Sequence, residues 1–355
     1  MELDVFLDWS VNNIPILKKY KGFKIEEFPV IDKKFVIANY EQLTISKPYI
    51  VNYSSGSTGL PLRVPLSIQT YQKEYAYWWY HRSFANVARG EKVATFAGHK
   101  IAKIEKKSPP FWVYNRYENQ IIFSSYHLSN DLLNYYLQQI NIFKPTLING
   151  YPSSLYLLAK HIVLNNSKLE FQPKMIVTAS ETLFPFQRDV INKAFNCKVY
   201  NWYGNTEMAG SVIECEYGQM HVQDYHSFIR VLDDNNKMVR PGGQGNIVAT
   251  NFTNISLPLI NYNTGDTATL SEDKNCKCNR GGVIIDKIDG RQEDYILTSS
   301  GRFIGRLDHI FKKANHIRNA QIEQDSLDSL VIRIVRTDNY SKKDENYIIK
   351  EAKSN

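Results

Sequence analysis

Cysteine is scarce in this chain: four residues in 355 cannot build a disulfide framework, so the fold must rest on its core. Long apolar runs are missing too. No stretch reaches the roughly 20 residues of a membrane-spanning helix, which sets aside a membrane partner. The acidic start Met1-Glu2-Leu3-Asp4-Val5-Phe6 has no basic region leading into an apolar one, so no secretory signal is read. A cytoplasmic protein is expected. The formal charge of +7 comes from Lys and Arg scattered along the chain, with no basic run attached to a nucleic-acid-binding signature. Nucleic acid is therefore set aside as a partner, and an anionic small molecule fits the charge equally well. There is no internal repeat, no low-complexity segment and no Gly-x-x-x-x-Gly-Lys-Ser/Thr phosphate loop.

What is present is the composition of a folded protein. Hydrophobic residues make up 43%, with 23 Tyr and 17 Phe, enough for a sizeable core, and the length accommodates a large domain and a smaller one. The pattern predicts a helix over Val5–Lys19 and another over Thr70–Val87. The second carries Tyr71, Tyr75, Tyr77, Trp78, Trp79, Tyr80 and Phe84, several at three- and four-residue spacing. It reads as largely buried, its aromatic face core rather than ligand pocket. From Lys92 strands and helices alternate. Strands are expected at Val93–Ala97, Thr146–Asn149, Met175–Ala179 and Lys198–Trp202, helices at Asn130–Phe143, Ser153–Leu164 and Pro185–Phe195. That alternation implies an α/β fold with a largely parallel sheet. Ligands of such sheets gather at the carboxyl ends of strands, here the loops after Ala179 and Trp202. Past Gly210 the strands Gln219–Leu232, Gly245–Asn251, Asp266–Leu270 and Val283–Ile288 make a β-rich part, about 211–290. A short tail follows, with Gly305–Ala314, a strand at Ser329–Arg336 and a helix at Glu345–Lys353.

Four segments carry the candidate chemistry. In the first, Ser54, Ser55, Ser57 and Thr58 stand with Gly56 and Gly59 between an apolar segment and a helix, followed by Arg63. Glycine lets backbone N–H groups turn inward and the hydroxyls add donors, which suits a loop closing over an anion. Alone, such a cluster is more often a polar turn. The second is Val177–Thr182, the third Asn201–Glu207, and the fourth Tyr262–Asp266 with Gly290–Asp294 downstream. Singly, Thr206-Glu207 reads as a helix start, Gly265-Asp266 as a turn, and Arg291 as an exposed partner of Glu293 or Asp294.

In this order and spacing the four resemble the adenylate-forming superfamily of acyl-CoA ligases. More narrowly they are similar to its phenylacetate–CoA ligase-like branch, which includes proteins of capsular polysaccharide clusters. Ser125–Ser129 and Lys144–Leu155 look like landmarks of that branch. The resemblance implies a large adenylate-forming domain over 1–292, then a hinge at Glu293-Asp294 and a small α+β C-terminal domain over 293–355. It implies activation of a carboxylic acid with ATP and Mg²⁺ as an acyl-adenylate. The acyl group then passes to coenzyme A, another thiol or an amine. By resemblance, Ser54, Ser55, Gly56, Ser57, Thr58 and Gly59 wrap the β- and γ-phosphates. Arg63 stands where the family usually has lysine. Tyr203-Gly204-Asn205-Thr206-Glu207 matches Tyr-Gly-x-Thr-Glu, with the tyrosine along the adenine, the threonine on the α-phosphate and the glutamate on Mg²⁺. Ala179-Ser180-Glu181 corresponds to the adenine-side loop, with Ser180 in place of a more usual glycine. Asp266 takes both ribose hydroxyls, and Arg291 reaches ribose or phosphate.

The cysteines are a separate matter. Cys215, His221, Cys276 and Cys278 lie in the β-rich part and could close a tetrahedral Cys₃His zinc site. The alternative is four unrelated residues with His221 hydrogen-bonded in the fold. Cys276-Lys277-Cys278-Asn279-Arg280 is similar to a Cys-x-Cys-Gly-Arg segment of the branch, some of whose members carry zinc there. Cys197 reads as buried and without a role. One departure concerns the C-terminal lysine that the family sets in a Gly-Lys context near its end. Lys342, Lys343, Lys350 and Lys353 lack that context, so the C-terminal domain is expected to be incomplete. A catalytically impaired nucleotide- or acid-binding relative is the alternative that follows.

Overall fold

The computed structural model describes residues 3–45, 48–54, 61–98, 101–103, 106–129, 131–290, 296–298, 303–304, 307–311, 314 and 316–353. The chain opens with helix α1 (Leu3–Asn13). The continuous helix expected to Lys19 is split by Pro15, which lacks an N–H, and a 3-10 turn over Pro15–Tyr20 takes its place. Short helices α2 (Lys33–Ala38) and α3 (Tyr40–Leu43) follow. A hairpin of β1 (Ile50–Tyr53) and β2 (Arg63–Leu66) then leads into α4 (Ile68–Ser83). Ser67 caps α4, its hydroxyl accepting from the Thr70 N–H at 3.1 Å.

Alternation then takes over. The elements are β3 (Val93–Ala97), β4 (Trp112–Asn115), β5 (Gln120–Ser124), α5 (Leu133–Phe143), β6 (Leu147–Gly150), α6 (Pro152–Leu164), β7 (Met175–Ala179), α7 (Pro185–Phe195) and β8 (Val199–Gly204). Both α6 and α7 begin on a proline, whose missing N–H costs nothing in a first turn. The β-rich part comprises β9 (Ser211–Glu214), β10 (Met220–Val222), β11 (Ser227–Leu232), β12 (Gln244–Asn251), β13 (Tyr262–Leu270) and β14 (Ile284–Gly290). The single strand expected over Gln219–Leu232 is two, because residues 223–226 turn back between β10 and β11.

Among the described residues these strands form one twelve-stranded sheet in the order β11-β12-β13-β14-β10-β9-β8-β7-β6-β3-β5-β4. From β8 to β5 neighbours run parallel, with β4 an antiparallel edge. From β8 to β11 every pairing is antiparallel. Strand β8 is therefore the seam between the two regimes. Helices α5, α6 and α7 cover one face of the parallel half, where Phe96, Phe123, Ile148, Ile176 and Val199 are buried. The other face, with Val93, Leu147, Met175 and Val177, lies under α4. The N-terminal helices pack against the antiparallel half.

The tail contains the pairs β15 (Ile296–Leu297) with β16 (Phe303–Ile304) and β17 (Ile317–Ser326) with β18 (Ser329–Arg336). Helix α8 (Lys342–Lys353) buries Ile348 against Ile310 and Ala314. Of the expected Gly305–Ala314 element, the described part is a 3-10 turn, Leu307–Phe311. No helix of the described residues is long and apolar enough to cross a membrane.

Candidate active site

A cavity of about 500 Å³ opens where the parallel strands end, within the usual range for small-molecule sites of about 300–1,000 Å³. Its walls include Gly150 at the end of β6, Ala179–Thr182 from the end of β7 onward and Tyr203–Met208 from the end of β8 onward, together with Asp266 of β13. Ligands of open α/β sheets sit at this end because loops there can vary without disturbing the sheet. Close strand packing makes one position a glycine: a Cβ on Gly150 would lie 2.5 Å from the Phe96 carbonyl oxygen of β3.

Tyr203 and Asp266 meet. The Tyr203 hydroxyl donates to Asp266 Oδ2 at 2.7 Å, and Thr264 Oγ1 lies 3.3 Å from the same hydroxyl. Burial, followed by the Asp266 charge, pushes the Tyr203 phenol well above its ordinary range, so it stays a donor. Asp266 itself is 9% exposed, and its backbone N–H donates to Thr264 Oγ1.

Thr206 and Glu207 sit in the turn beyond β8. Asn205 holds that turn, its Oδ1 accepting from the Ala209 N–H at 2.8 Å. Thr206 is exposed to the cavity, while Glu207 is buried beside Tyr262, whose hydroxyl donates to Oε1 at 3.4 Å. A buried carboxylate on the cavity wall next to a hydroxyl is a donor set that Mg²⁺ accepts together with phosphate oxygens.

Ser180 adopts φ 73°, a left-handed conformation that favours glycine. Next to it, Glu181 accepts from the Ser153 N–H at 3.0 Å and from its hydroxyl at 3.1 Å, a carboxylate on the first turn of α6. Ser54 borders the cavity and closes the base of the Ser/Gly stretch. Its N–H donates to the Leu62 carbonyl and its Oγ accepts from the Leu62 N–H, both at 3.0 Å.

Not every candidate is brought together. Ser55, Gly56, Ser57, Thr58 and Gly59 lie outside the described residues, as do Arg291 and the Glu293-Asp294 hinge. Arg63 opens β2 with its guanidinium over the Tyr40 ring, 5.4 Å from the centroid, and does not line the cavity. Sequence reasoning also missed lining residues. The helix α4, expected to be largely buried, exposes Tyr71, Trp78 and Tyr80 by about half, and Glu74, Trp78 and Arg82 form a stripe along the cavity. Their four-residue spacing was the available signal, obscured by the aromatics around it.

Cys215, His221, Cys276 and Cys278 form a second cluster, their ligand atoms all within 4.8 Å of one another. Cys215 Sγ and Cys276 Sγ are 3.6 Å apart, and Cys278 Sγ is 3.4 Å from His221 Nε2. A tetrahedron with Zn–S near 2.3 Å and Zn–N near 2.0 Å has edges of about 3.5–3.8 Å, which these two separations approach, the other pairs lying within 4.8 Å. Each sulfur also accepts a backbone N–H from two residues on: Tyr217 to Cys215, Cys278 to Cys276, and Arg280 to Cys278. At Cys278 the Arg280 N–H and the other donors outweigh burial and hold the thiol below its ordinary range. Cys197 is apart from the cluster, half-buried, and burial pushes its thiol up to about 11.

The profile of the AMP-binding enzyme family matches residues 21–253, and that of the CapK C-terminal domain matches residues 296–355. Protein CapK of Staphylococcus aureus is 28% identical over 341 residues, which is 95% of this chain and 74% of the relative. Phenylacetate-coenzyme A ligase of Thermus thermophilus is 29% identical over 164 residues, 44% of this chain and 37% of that one. Among solved structures, 2-hydroxyisobutyryl-CoA ligase in complex with 2-HIB-AMP and CoA superposes with a TM-score of 0.62 at 17% identity, over 98% of this chain and 80% of the other. The chain thus belongs to the AMP-binding enzyme family, in the CapK-like branch of the adenylate-forming superfamily, and is a ligase-like enzyme of the AMP-forming kind.

Proposed function

We propose that the protein joins a carboxylic acid to the α-phosphate of ATP and transfers the acyl group from the adenylate to coenzyme A or to another thiol or amine. The observation that carries this reading is the Tyr203–Asp266 contact on the wall that also holds Thr206 and Glu207. It gathers a ring for the base, a carboxylate for the ribose diol and a hydroxyl for the α-phosphate around one cavity. Bringing two anions together requires charge neutralisation and alignment, not a new functional group. Tyr203 keeps Asp266 oriented by donating to one carboxylate oxygen, and a carboxylate has two oxygens able to accept from a diol. Thr206 offers its hydroxyl at the turn after β8. Glu207 would hold Mg²⁺, which supplies charge stabilisation on the phosphates when bound. Ser55–Gly59 would supply donors to the outer phosphates, and residues beyond the Glu293-Asp294 hinge would act as a separate small domain, 293–355, on the large one, 1–292.

Cys215, His221, Cys276 and Cys278 would hold a structural Zn²⁺ that ties β9 and β10 to the 276–280 loop. A place in cytoplasmic polysaccharide biosynthesis is supported by the resemblance to the CapK-like branch. Acid-dependent ATP–pyrophosphate exchange over a panel of aryl, alkyl and amino acids tests the catalytic reading. Exchange is expected with at least one acid and is lost in Glu207→Gln; ATP binding without exchange for any acid contradicts it. Elemental analysis of untagged protein tests the metal, with about one zinc per chain expected and a value near zero rejecting the site.

A further inference from the structure

The inner end of the cavity is polar and positively charged, which is unexpected for a site that takes a simple aryl or alkyl acid. Helix α4 lies over the face of the sheet that carries Thr95, Gln120 and Asn149. Its residues Glu74, Trp78 and Arg82 succeed one another at one-turn intervals along the wall. The two ends of that stripe differ. Glu74, at the outer end, is satisfied, with His226 Nε2 2.5 Å from its Oε1. Arg82 lies two turns deeper, about 12 Å along the helix, and is 5% exposed. Of its five donors only one has a partner among the described residues, Nη1–H to the Trp78 carbonyl oxygen at 2.7 Å. Its guanidinium stacks on Trp78 at 4.8 Å and Trp79 at 5.6 Å, and no carboxylate of the described residues lies within 4.0 Å of it. Burial brings its pKa down only to about 10, so it remains a cation at neutral pH.

The surroundings of Arg82 do not neutralise it. Gln120 Nε2 donates to Thr95 Oγ1 at 2.7 Å, and Thr95 Oγ1 donates to Asn149 Oδ1 at 2.9 Å, a polar floor without a negative charge. Buried charges are costly unless paired, and a guanidinium packed beside two indoles on a cavity wall offers its donors as a fork for a planar oxyanion. Resting on the proposed adenylation at the outer end, we propose that the acid this enzyme activates is dianionic, with a second carboxylate-like group that binds Arg82 at the inner end of the pocket. The carboxylate to be adenylated then faces Thr206 and Glu207, and Trp78 with Trp202, their rings 6.4 Å apart, walls the segment between the two charges.

The test is ATP–pyrophosphate exchange with length-matched pairs: four- to eight-carbon dicarboxylates against the monocarboxylates of equal length, and benzene dicarboxylates against benzoate. For the parent, kcat/KM for the best dianionic acid is expected to exceed that of its matched monoanion by at least about 30-fold, as for a charge pair removed from a buried site. In Arg82→Met that ratio falls toward one, and in Arg82→Lys, which keeps the charge and also serves should the methionine variant not fold, it is partly retained. Melting curves confirm that the variants are folded. A parent that prefers the monoanion of every pair overturns the inference and leaves adenylation standing, as does an Arg82→Met ratio equal to the parent's. Absence of exchange with every acid overturns the proposed function, and the dianionic substrate with it.

Discussion

Removing Arg188 should loosen the seam strand that carries the site. Glu214 on β9 is 3% exposed at its side chain, yet it is fully engaged: Arg188 Nη1 and Nη2 donate to its two oxygens at 2.9 Å each, and the Asn201 N–H of β8 donates to Oε2 at 2.8 Å. Arg188 also donates to the Val199 carbonyl oxygen at 2.8 Å, so one guanidinium ties α7, β8 and β9 together. Deleting one partner of a buried pair costs about 3–5 kcal/mol, because the other charge is left without compensation. The Arg188 side chain is 31% exposed, so water can enter its place, and the lower figure of about 3 kcal/mol applies. With an unfolding entropy of about 2.1 cal/mol/K per residue, that lowers the melting temperature of a chain this long by about 4 °C. Urea midpoints and melting curves for Arg188→Met, Glu214→Gln and the double variant provide the assay. The double variant should be less destabilised than the sum of the singles, since it removes the stranded charge. Arg188→Met within about 1 kcal/mol of the parent, or strict additivity, would refute the reasoning.

Two further outcomes follow from the same packing. Gly150→Ala forces a methyl to within 2.5 Å of the Phe96 carbonyl and should destabilise by about 1–3 kcal/mol in a denaturant titration, whereas a neutral result would mean that β3 and β6 part without cost. His81 is buried with its Nε2–H on the Glu214 carbonyl at 2.9 Å, and burial pulls its pKa from 6.5 to about 3. The unfolded imidazole takes up a proton near pH 6.5 while the folded one stays neutral. The stability present above that pH should therefore be lost as pH falls toward 3, by about 1.4 kcal/mol per unit, a slope absent from His81→Gln.

Much of the fold was legible because strand and helix periods are local. Met175–Ala179, Pro185–Phe195 and Ser329–Arg336 coincide with their expected bounds, each flanked by turn residues or opened by proline. The β4–β5 edge pair and β9 were not read, since Trp112–Asn115 and Ser211–Glu214 are four residues long and show no distinctive alternation. The motifs after β7 and β8 announced one wall of the cavity, because backbone turns there demand particular residues in a fixed order. The wall formed by α4 was hidden. Arg82 and Trp78 sit in a helix whose aromatic richness reads as core, and what makes them pocket residues is the sheet face beneath, which no local pattern encodes.

The central claim, that one cavity at the carboxyl end of the sheet grips a nucleoside triphosphate, is tested most directly by calorimetric titration of the parent and Asp266→Ala with ATP and Mg²⁺. The parent should bind one ATP per chain, and loss of the ribose carboxylate should remove about 1.5–3 kcal/mol, weakening binding by roughly 10–150-fold. A parent that binds no ATP, or a variant that binds it equally well, would contradict the account.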